Sequence, residues 1–158
     1  MCQLALGKVS LYNSFVSKKY KGKECAYCAY RSTCRDHVIA REFFLPQHRN
    51  DLPAVPACDA CNHKKSVLEH YVTVLLPFGG RHTSAQANLH QVWKRLIRNQ
   101  RLRDELGQRQ GHVWAQDHSG LMLQMMTLPV DAAKLLALFR WITRGSAHRY
   151  WVSRRDPG

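Results

Sequence analysis

The chain lacks the features that would assign it to a membrane or to a secretory route. No stretch offers the roughly eighteen uninterrupted apolar residues that a membrane-spanning helix needs. The opening stretch MCQLALGKVSLYNSF has no basic start, no sustained apolar core and no small-residue cleavage site. Internal repeats and low-complexity tracts are missing too. We therefore expect a protein of the reducing cytoplasm with no membrane role.

Acidic residues are scarce as well. The chain has 11 Asp and Glu against 24 Lys and Arg, which gives a formal net charge of +13 and an isoelectric point of about 9.9. Such an imbalance attracts polyanions over a distance, so nucleic acid is the expected partner class. A basic surface that serves solubility alone is the alternative. With 158 residues the chain is long enough to bury one main core.

Cysteines are present in a pattern that indicates metal binding. Two Cys-x-x-Cys pairs occur, CAYC at 25–28 and CDAC at 58–61. In a chain without a secretory signal such pairs favour metal over disulfides. Each tight turn brings two thiolates to one ion, and two turns complete a closed tetrahedral zinc site. We predict a structural zinc on Cys25, Cys28, Cys58 and Cys61, with Cys2 and Cys34 outside it.

The residues within and around the two pairs resemble a known family. CAYC at 25–28, DHVIAREFF at 36–44 and VPACDACNHKKSVLEHY at 55–71 are similar to an HNH endonuclease whose ββα-metal motif is braced by a zinc on four cysteines. The resemblance covers residues 25–71, and beyond them it is one of general layout only. It implies an α+β fold and hydrolysis of DNA to a 5′-phosphate and a 3′-hydroxyl. Short HNH proteins of this layout act in bacterial defence or mobile-element systems, where a partner protein supplies targeting or activation.

The residue types also suit phosphodiester hydrolysis. Water must lose a proton as it attacks in line, and an imidazole accepts that proton near neutral pH, so His37 is the predicted general base. Charge on the phosphoryl and leaving oxygens requires a cation, and a carboxylate and an amide are hard ligands for Mg²⁺ or Mn²⁺. We predict that Asp36 and Asn62 hold this catalytic ion. The resemblance implies the same roles for all three residues.

Three details depart from a simple pattern. The middle Asn of the family, which orients the loop around the histidine, is replaced by Pro53, so Asn50 or the loop backbone is expected to take over its role. His63 rivals Asn62 as a ligand but points about 100° away on a helix. Successive residues of a strand face opposite sides, so we expect a twist, a bulge or a strand start at Asp36 and His37.

The rest of the chain predicts a helical and hairpin region. Apolar spacing indicates one helix with Val67, Leu68 and Tyr71 inward that ends at PFGG, and another that begins near Ser84. HVWAQDHSGLMLQMM predicts a hairpin, and PVDAAKLLALFRWITRG a last helix with Asp131 near its start and Gly145 past its end. We expect three segments: a basic N-terminal segment (1–24), the nuclease motif with its zinc site (25–80), and a C-terminal helical and hairpin region with a basic helix (81–158).

Two groups of side chains complete the prediction. Basic residues near the motif and on the second helix are candidates for phosphate contact, with a water-facing surface as the alternative: Arg41, Lys64, Lys65, Lys94, Arg95, Arg98, Arg101 and Arg103. Large aromatic residues at apolar positions are expected in the core: Trp93, Trp114, Phe139 and Trp141.

The sequence therefore favours a metal-dependent HNH nuclease with little sequence preference of its own. Few of its residues are suited to reading base edges. One alternative is a non-catalytic zinc-ribbon module that binds nucleic acid or a partner protein. The other is a nuclease that acts on RNA or on a branched junction.

Overall fold

The computed structural model describes residues 19–80 and 82–155, with side chains to residue 151. Most of the predicted basic segment 1–24, including Cys2, lies outside these residues. The described chain forms two compact units. The first combines the described residues up to 41 with 51–66 and 140 onwards, and the second combines Glu42–Asn50 with Val67–Phe139. The predicted segment boundary at residue 80 falls inside the second unit.

The first unit contains a two-stranded antiparallel sheet followed by a helix. Strand β1 spans Cys34–His37 and pairs with β2, Ala54–Ala57, in a regular register. Helix α1, Asp59–Gly79, begins two residues after β2 ends. The element order is therefore ββα, within a fold of mixed helix and strand. All four residues of β2 are buried, because both faces of the strand are covered.

A small core lies beneath this sheet. Tyr27, Val38 and Val55 are buried together with two of the motif cysteines, Cys25 and Cys61. Trp141 and Ile142 pack against them from helix α4, Ala132–Arg155. The rings of Tyr27 and Trp141 meet edge to face with centroids 5.0 Å apart. The prediction that Trp141 contributes to the core is confirmed, although the residue is only partly buried.

Helix α4 begins where predicted and ends later. The carboxylate of Asp131 accepts hydrogen bonds from the backbone N–H groups of Ala133 and Lys134, which makes it the cap of the helix. The helix continues past Gly145, so the prediction that this glycine ends it is wrong. A Cβ atom at Gly145 would lie 3.1 Å from the hydroxyl oxygen of Tyr27. The glycine lets the helix approach the core closely, which the sequence pattern does not reveal.

The second unit contains the C-terminal part of α1 and two further helices. These are α2 (Thr83–Arg98) and α3 (Gln100–Arg109). The sequence predicted one helix here, but Asn99 divides it. The backbone N–H of Asn99 donates to the carbonyl of Arg95, and its side-chain oxygen accepts from the N–H of Leu102. One residue therefore ends the first helix and caps the second. Short 3₁₀ turns at Arg41–Phe43 and Pro46–His48 lie in the loop between β1 and β2.

The residues that the helices bury differ in part from those predicted. On α2 the buried residues are Asn88, Val92 and Leu96, whereas Trp93 is 68% exposed. Trp93 is therefore not a core residue, and neither is Phe139 on α4, which is 62% exposed. On α1 the burial of Tyr71 is confirmed, as is that of Val74 and Leu75, while Val67 is exposed.

The predicted hairpin is confirmed. Strand β3, Gly111–Gln116, pairs antiparallel with β4, Met122–Thr127. The Asp117 carboxylate closes the turn by accepting from the hydroxyl of Ser119 and from the N–H groups of Ser119 and Leu121. These bonds, chiefly the one from the hydroxyl, lower its pKa. All six residues of β4 are exposed. Trp114 on β3 is 66% exposed, so its predicted place in the core is wrong.

No helix in the described part of the chain combines the length and the apolar character that a bilayer crossing demands. This agrees with the absence of a long apolar run in the sequence.

Candidate metal centre and the adjoining histidine

The four predicted cysteines come together in one cluster. One sulfur atom from each of Cys25, Cys28, Cys58 and Cys61 lies within 4.8 Å of every other. The sulfurs of Cys28 and Cys58 are 3.6 Å apart. A zinc ion with Zn–S bonds of about 2.3 Å would hold its four sulfurs about 3.8 Å apart at the corners of a tetrahedron. The cluster therefore fits a four-thiolate metal ion.

Local backbone structure positions the first pair. The turn from Cys25 to Tyr30 is closed by a hydrogen bond from the N–H of Cys25 to the carbonyl of Tyr30. Ala29 has a φ of 63°, in the left-handed region that few L-residues adopt. The N–H of Tyr27 donates to the sulfur of Cys25 over 3.5 Å. The turn thus directs two sulfurs to one point.

The second pair stands at the start of α1. The carbonyl of Cys58 accepts the N–H of Asn62, so Cys58 occupies the capping position of the helix. Asp59, the first residue of the helix, accepts a hydrogen bond from the hydroxyl of Thr33. A hydrogen bond from the backbone N–H of Cys61 is the main reason why the pKa of Cys58 falls to about 7. The backbone N–H at the helix start therefore favours the thiolate of Cys58, whereas burial raises the pKa of Cys61 in the same turn.

Asp36 faces the interior of the first unit. Only 6% of the residue is exposed, and its Oδ2 atom accepts a hydrogen bond of 2.6 Å from the hydroxyl of Tyr27. The ammonium nitrogen of Lys65 lies 3.0 Å from the same oxygen. Lys65 is fully buried and also donates to the backbone carbonyl of His37 over 2.6 Å. The carboxylate is thus neutralised by a buried cation from α1.

The buried position of Lys65 corrects one prediction. A side chain with no exposed surface does not reach a DNA phosphate, so Lys65 does not belong to the nucleic-acid contacts. Its role had a signal in the sequence, because Lys65 is four residues after Cys61 and therefore lies on the same face of the helix. Since Cys61 points into the metal cluster, that face is directed inward. The hydrogen bond from Tyr27 to Asp36 was likewise not predicted, although Tyr27 lies between Cys25 and Cys28.

His37 is the last residue of β1 and remains partly accessible. Burial is the main cause that lowers its pKa, and the nearby charges of Arg35 and Arg41 add to the effect. A lowered pKa keeps the imidazole neutral at pH 7, which is the form that accepts a proton. The residue therefore has the exposure and the protonation state of a general base.

The strand around His37 is regular, so the expected bulge or twist is not found. Asp36 pairs with Val55 and His37 with Ala54 in an unbroken register. Neighbouring residues of a strand face opposite sides, and the burial agrees with this, since Asp36 is buried and His37 is half-buried. The two side chains therefore begin on different faces of the sheet.

The loop backbone takes part in holding this strand end. The carbonyl of Pro53, where the family has its middle Asn, accepts a hydrogen bond of 2.9 Å from the N–H of Val38. Val38 directly follows His37, so the bond fixes the chain next to the imidazole. The role expected of Asn50 or the loop backbone, to orient the imidazole itself, stays a prediction.

The first turn of α1 carries the remaining predicted residues. Asn62 is half-buried and lies three residues before Lys65, hence on the same helix face. Because Lys65 contacts Asp36 and the backbone of His37, this face of α1 lies against β1. His63 and Lys64 are exposed. Asn62 therefore lies on the side of the helix that a shared ligand role with Asp36 requires.

The other predicted phosphate contacts divide into two groups. Arg95 is partly buried and donates to the backbone carbonyls of Thr73 and Glu42, so it stabilises the second unit and is removed from the predicted contacts. The rest are exposed and remain predictions: Arg41, Lys64, Lys94, Arg98, Arg101 and Arg103. Arg35 on β1 is also exposed and was not among the predicted residues.

No protein-family model, curated protein or solved structure matches the chain. The resemblance to HNH endonucleases therefore rests on the motif residues themselves, and their described geometry is what bears on function.

Proposed function

We propose that the protein is a metal-dependent HNH endonuclease that hydrolyses phosphodiester bonds in DNA. One observation carries the proposal. His37 is half-buried and ends the first strand of a ββα unit. Four clustered cysteines join the turn that precedes this strand to the start of the helix. A general base needs an accessible imidazole on an ordered element, and His37 stands at the end of a strand in the unit that the cysteine cluster would hold together.

The four cysteines would hold a structural zinc. A closed set of four thiolates leaves no position for a substrate, so the ion would stabilise the motif rather than act on DNA. Its binding energy would add to folding energy, because the cluster joins residues 30 or more positions apart in the chain, such as Cys28 and Cys58. The zinc would thereby hold β1, β2 and the start of α1 together.

In the proposed reaction, His37 accepts the proton of the attacking water. A hard divalent ion, Mg²⁺ or Mn²⁺, supplies the charge that stabilises the phosphoryl and leaving oxygens when it is bound. Asn62 would contribute an amide oxygen to that ion. Asp36 would contribute a carboxylate oxygen, which requires the carboxylate to exchange the ammonium of Lys65 for the ion while Tyr27 keeps its hydrogen bond.

DNA is the proposed substrate, and the exposed basic residues support it. Arg41 and Lys64 belong to the same unit as His37 and carry charge near the motif. A chain with few base-reading side chains would cut with little sequence preference. A cytoplasmic role in bacterial defence or in a mobile element, with targeting supplied by a partner protein, follows from the same proposal.

A second candidate is favoured by the Asp36 network. If Lys65 stays paired with Asp36, the Oδ2 atom of that carboxylate is already occupied, and the residue is only 6% exposed to an incoming catalytic ion. The ββα unit would then be a non-catalytic zinc module that binds nucleic acid or a partner protein. The buried pair between Asp36 and Lys65 is the observation that supports this alternative.

Nicking of supercoiled plasmid distinguishes the two candidates. The zinc-loaded protein would be incubated with Mg²⁺ or Mn²⁺ or without either ion, which leaves the structural zinc in place. The variant His37→Ala tests the base, and His48→Ala is the matched control because His48 is exposed and is not a candidate ligand. Nicking that depends on the added ion, persists in His48→Ala and falls by roughly 100-fold or more in His37→Ala supports the nuclease.

Other outcomes point away from catalysis. Equal nicking by His37→Ala and the parent would show that His37 is not the base. DNA retention without nicking by any form, at unchanged zinc content, would favour the non-catalytic module.

A further inference from the structure

The second unit contains a hairpin whose two faces differ in chemistry. In the observed register, Val113 pairs with Met125 and Ala115 with Leu123, and directly paired residues share a face. We call the surface formed by Val113, Ala115, Leu123 and Met125 the apolar hairpin face. The opposite face mixes apolar and polar side chains: His112, Trp114, Gln116, Met122, Gln124 and Met126.

The apolar hairpin face is left open to solvent. Val113 is 47%, Leu123 41% and Met125 53% exposed, and Leu121 beside the turn is 60% exposed. Contiguous apolar patches beyond a few hundred Å² are rare on monomers and indicate a binding surface.

β3 and β4 form a two-stranded sheet, and within the described residues no third strand joins it. An isolated two-stranded hairpin is marginal in water and needs a packing partner for its apolar side. The hairpin is nevertheless regular over six residue pairs. A partner that covers the apolar hairpin face would explain why the hairpin is regular although its apolar side chains are exposed.

Charge narrows the choice of that partner. Residues 111–127 contain no Lys or Arg, although the chain has 24, and Asp117 is their sole carboxylate. A surface without basic side chains is poorly suited to DNA phosphates. Two copies of this chain repel each other through their net charge of +13 wherever basic residues meet. At the hairpin they can approach without placing like charges opposite one another.

We propose that the apolar hairpin face is a homodimer interface, on which the same face of a second copy packs. A two-fold contact is self-complementary, so an uncharged apolar patch suffices on both sides. Two sheets packed face to face lie about 10 Å apart and interdigitate their inner side chains. Met125 suits such a contact because its flexible thioether fills irregular gaps. The inference does not depend on nuclease activity.

The test uses two neighbouring residues on opposite faces. Met125→Lys places a cation on the apolar hairpin face, and Gln124→Lys places the same cation on the other face. Their masses would be measured by sedimentation equilibrium over a range of concentrations. We expect the parent and Gln124→Lys to be dimers, while the dissociation constant of Met125→Lys rises at least about 30-fold because each dimer would bury two lysines.

A second variant guards against an effect on folding. Val113→Thr keeps the side-chain shape and the strand propensity but adds a hydroxyl to the same face, and it should also weaken the dimer. Circular dichroism and zinc content would confirm that each variant is folded. A monomeric parent at about 100 μM, or a Met125→Lys variant that dimerises as well as Gln124→Lys, would overturn the proposal.

Discussion

The two hairpins of this protein have the same architecture and opposite surroundings. Each is a two-stranded antiparallel sheet in regular register, yet every residue of β2 is buried and every residue of β4 is exposed. The first hairpin is surrounded by the cysteine cluster, by helix residues and by a buried ion pair. The second has a hydrogen-bonded turn at Asp117 and its own cross-strand pairs.

The comparison shows that strand composition does not decide burial in a short hairpin. β4, with sequence MLQMMT, is mostly apolar, as is β2, with sequence AVPA. What differs is whether other elements reach the faces. Two-stranded sheets gain most of their stability from such covering contacts. The first hairpin should therefore depend on residues far from it in sequence, and the second on what binds to it.

Removal of the metal should have the largest effect, and only on the first hairpin. Cys58→Ser leaves three thiolates for the ion, and binding energy at such a site is folding energy. We expect loss of bound zinc and unfolding of the first unit, seen as loss of amide protection in β1 and β2 by hydrogen exchange. Protection in β3 and β4 should change much less.

Cys34→Ser is the control for this experiment. Cys34 lies outside the cluster, and its thiol donates to the carbonyl of Ala57. The variant should keep its zinc and its protection. Full zinc content and an unchanged melting temperature in Cys58→Ser would contradict the four-cysteine assignment.

Breaking the buried ion pair should have the next largest effect. Lys65→Met removes the cation and leaves the Asp36 carboxylate buried without it, which typically costs about 3–5 kcal/mol. The exposed neighbour offers a matched control, since Lys64→Met should change stability by less than about 0.5 kcal/mol. Urea denaturation of the zinc-loaded proteins measures both changes.

The double variant Asp36→Asn with Lys65→Met adds a sharper test. Without the carboxylate there is no charge to leave unpaired, so much of the lost stability should return. If Lys65→Met alone costs nothing, the carboxylate is already neutralised by something else, and its pairing with Lys65 is not a structural requirement.

A matched pair of valines compares the hairpins directly. Val55 in β2 is 1% exposed, while Val113 in β3 is 47% exposed. Val55→Ala should cost about 2 kcal/mol through lost burial and the cavity it leaves, and Val113→Ala less than about 1 kcal/mol in the monomer. Denaturation at the lowest usable protein concentration separates monomer stability from dimerisation. Equal costs at the two sites would mean that the hairpins are equally covered.

The sequence predicted contacts that carry a motif of their own and missed those that do not. The turn at Asp117 follows from turn chemistry over a few residues, and the cysteine cluster follows from two Cys-x-x-Cys pairs that suit one ion, although Cys28 and Cys58 are 30 positions apart in the chain; both are confirmed. The contact of Lys65 with Asp36 joins positions far apart in the chain, and the close approach at Gly145 depends on α4 packing against Tyr27. Periodicity identifies an apolar face but not whether anything covers it, which is why Trp114 was misplaced.

The smallest expected effect is on the pH dependence of the free energy of unfolding, and it comes from His37, the partly exposed last residue of β1. The pKa of His37 is lowered from its usual value near 6.5 chiefly by burial. Above pH 6.5 the imidazole is neutral in both the folded and the unfolded chain and contributes no pH dependence. Below it, the unfolded chain takes up the proton more readily, so the free energy of unfolding decreases until the folded pKa is also passed.

His37→Ala should therefore lose less stability than the parent when the pH is lowered from 7 to 5. His48→Ala, which removes an exposed histidine from the second unit, is the control. Urea denaturation at several pH values measures the slope, and protonation of the cysteine cluster affects the parent and both variants alike. The same lowered pKa means that a nuclease using His37 as its base should retain activity at a pH where an unperturbed imidazole would already be protonated. A steeper loss of stability in His37→Ala would show instead that the protonated imidazole is favoured in the folded protein, which would remove it as a base.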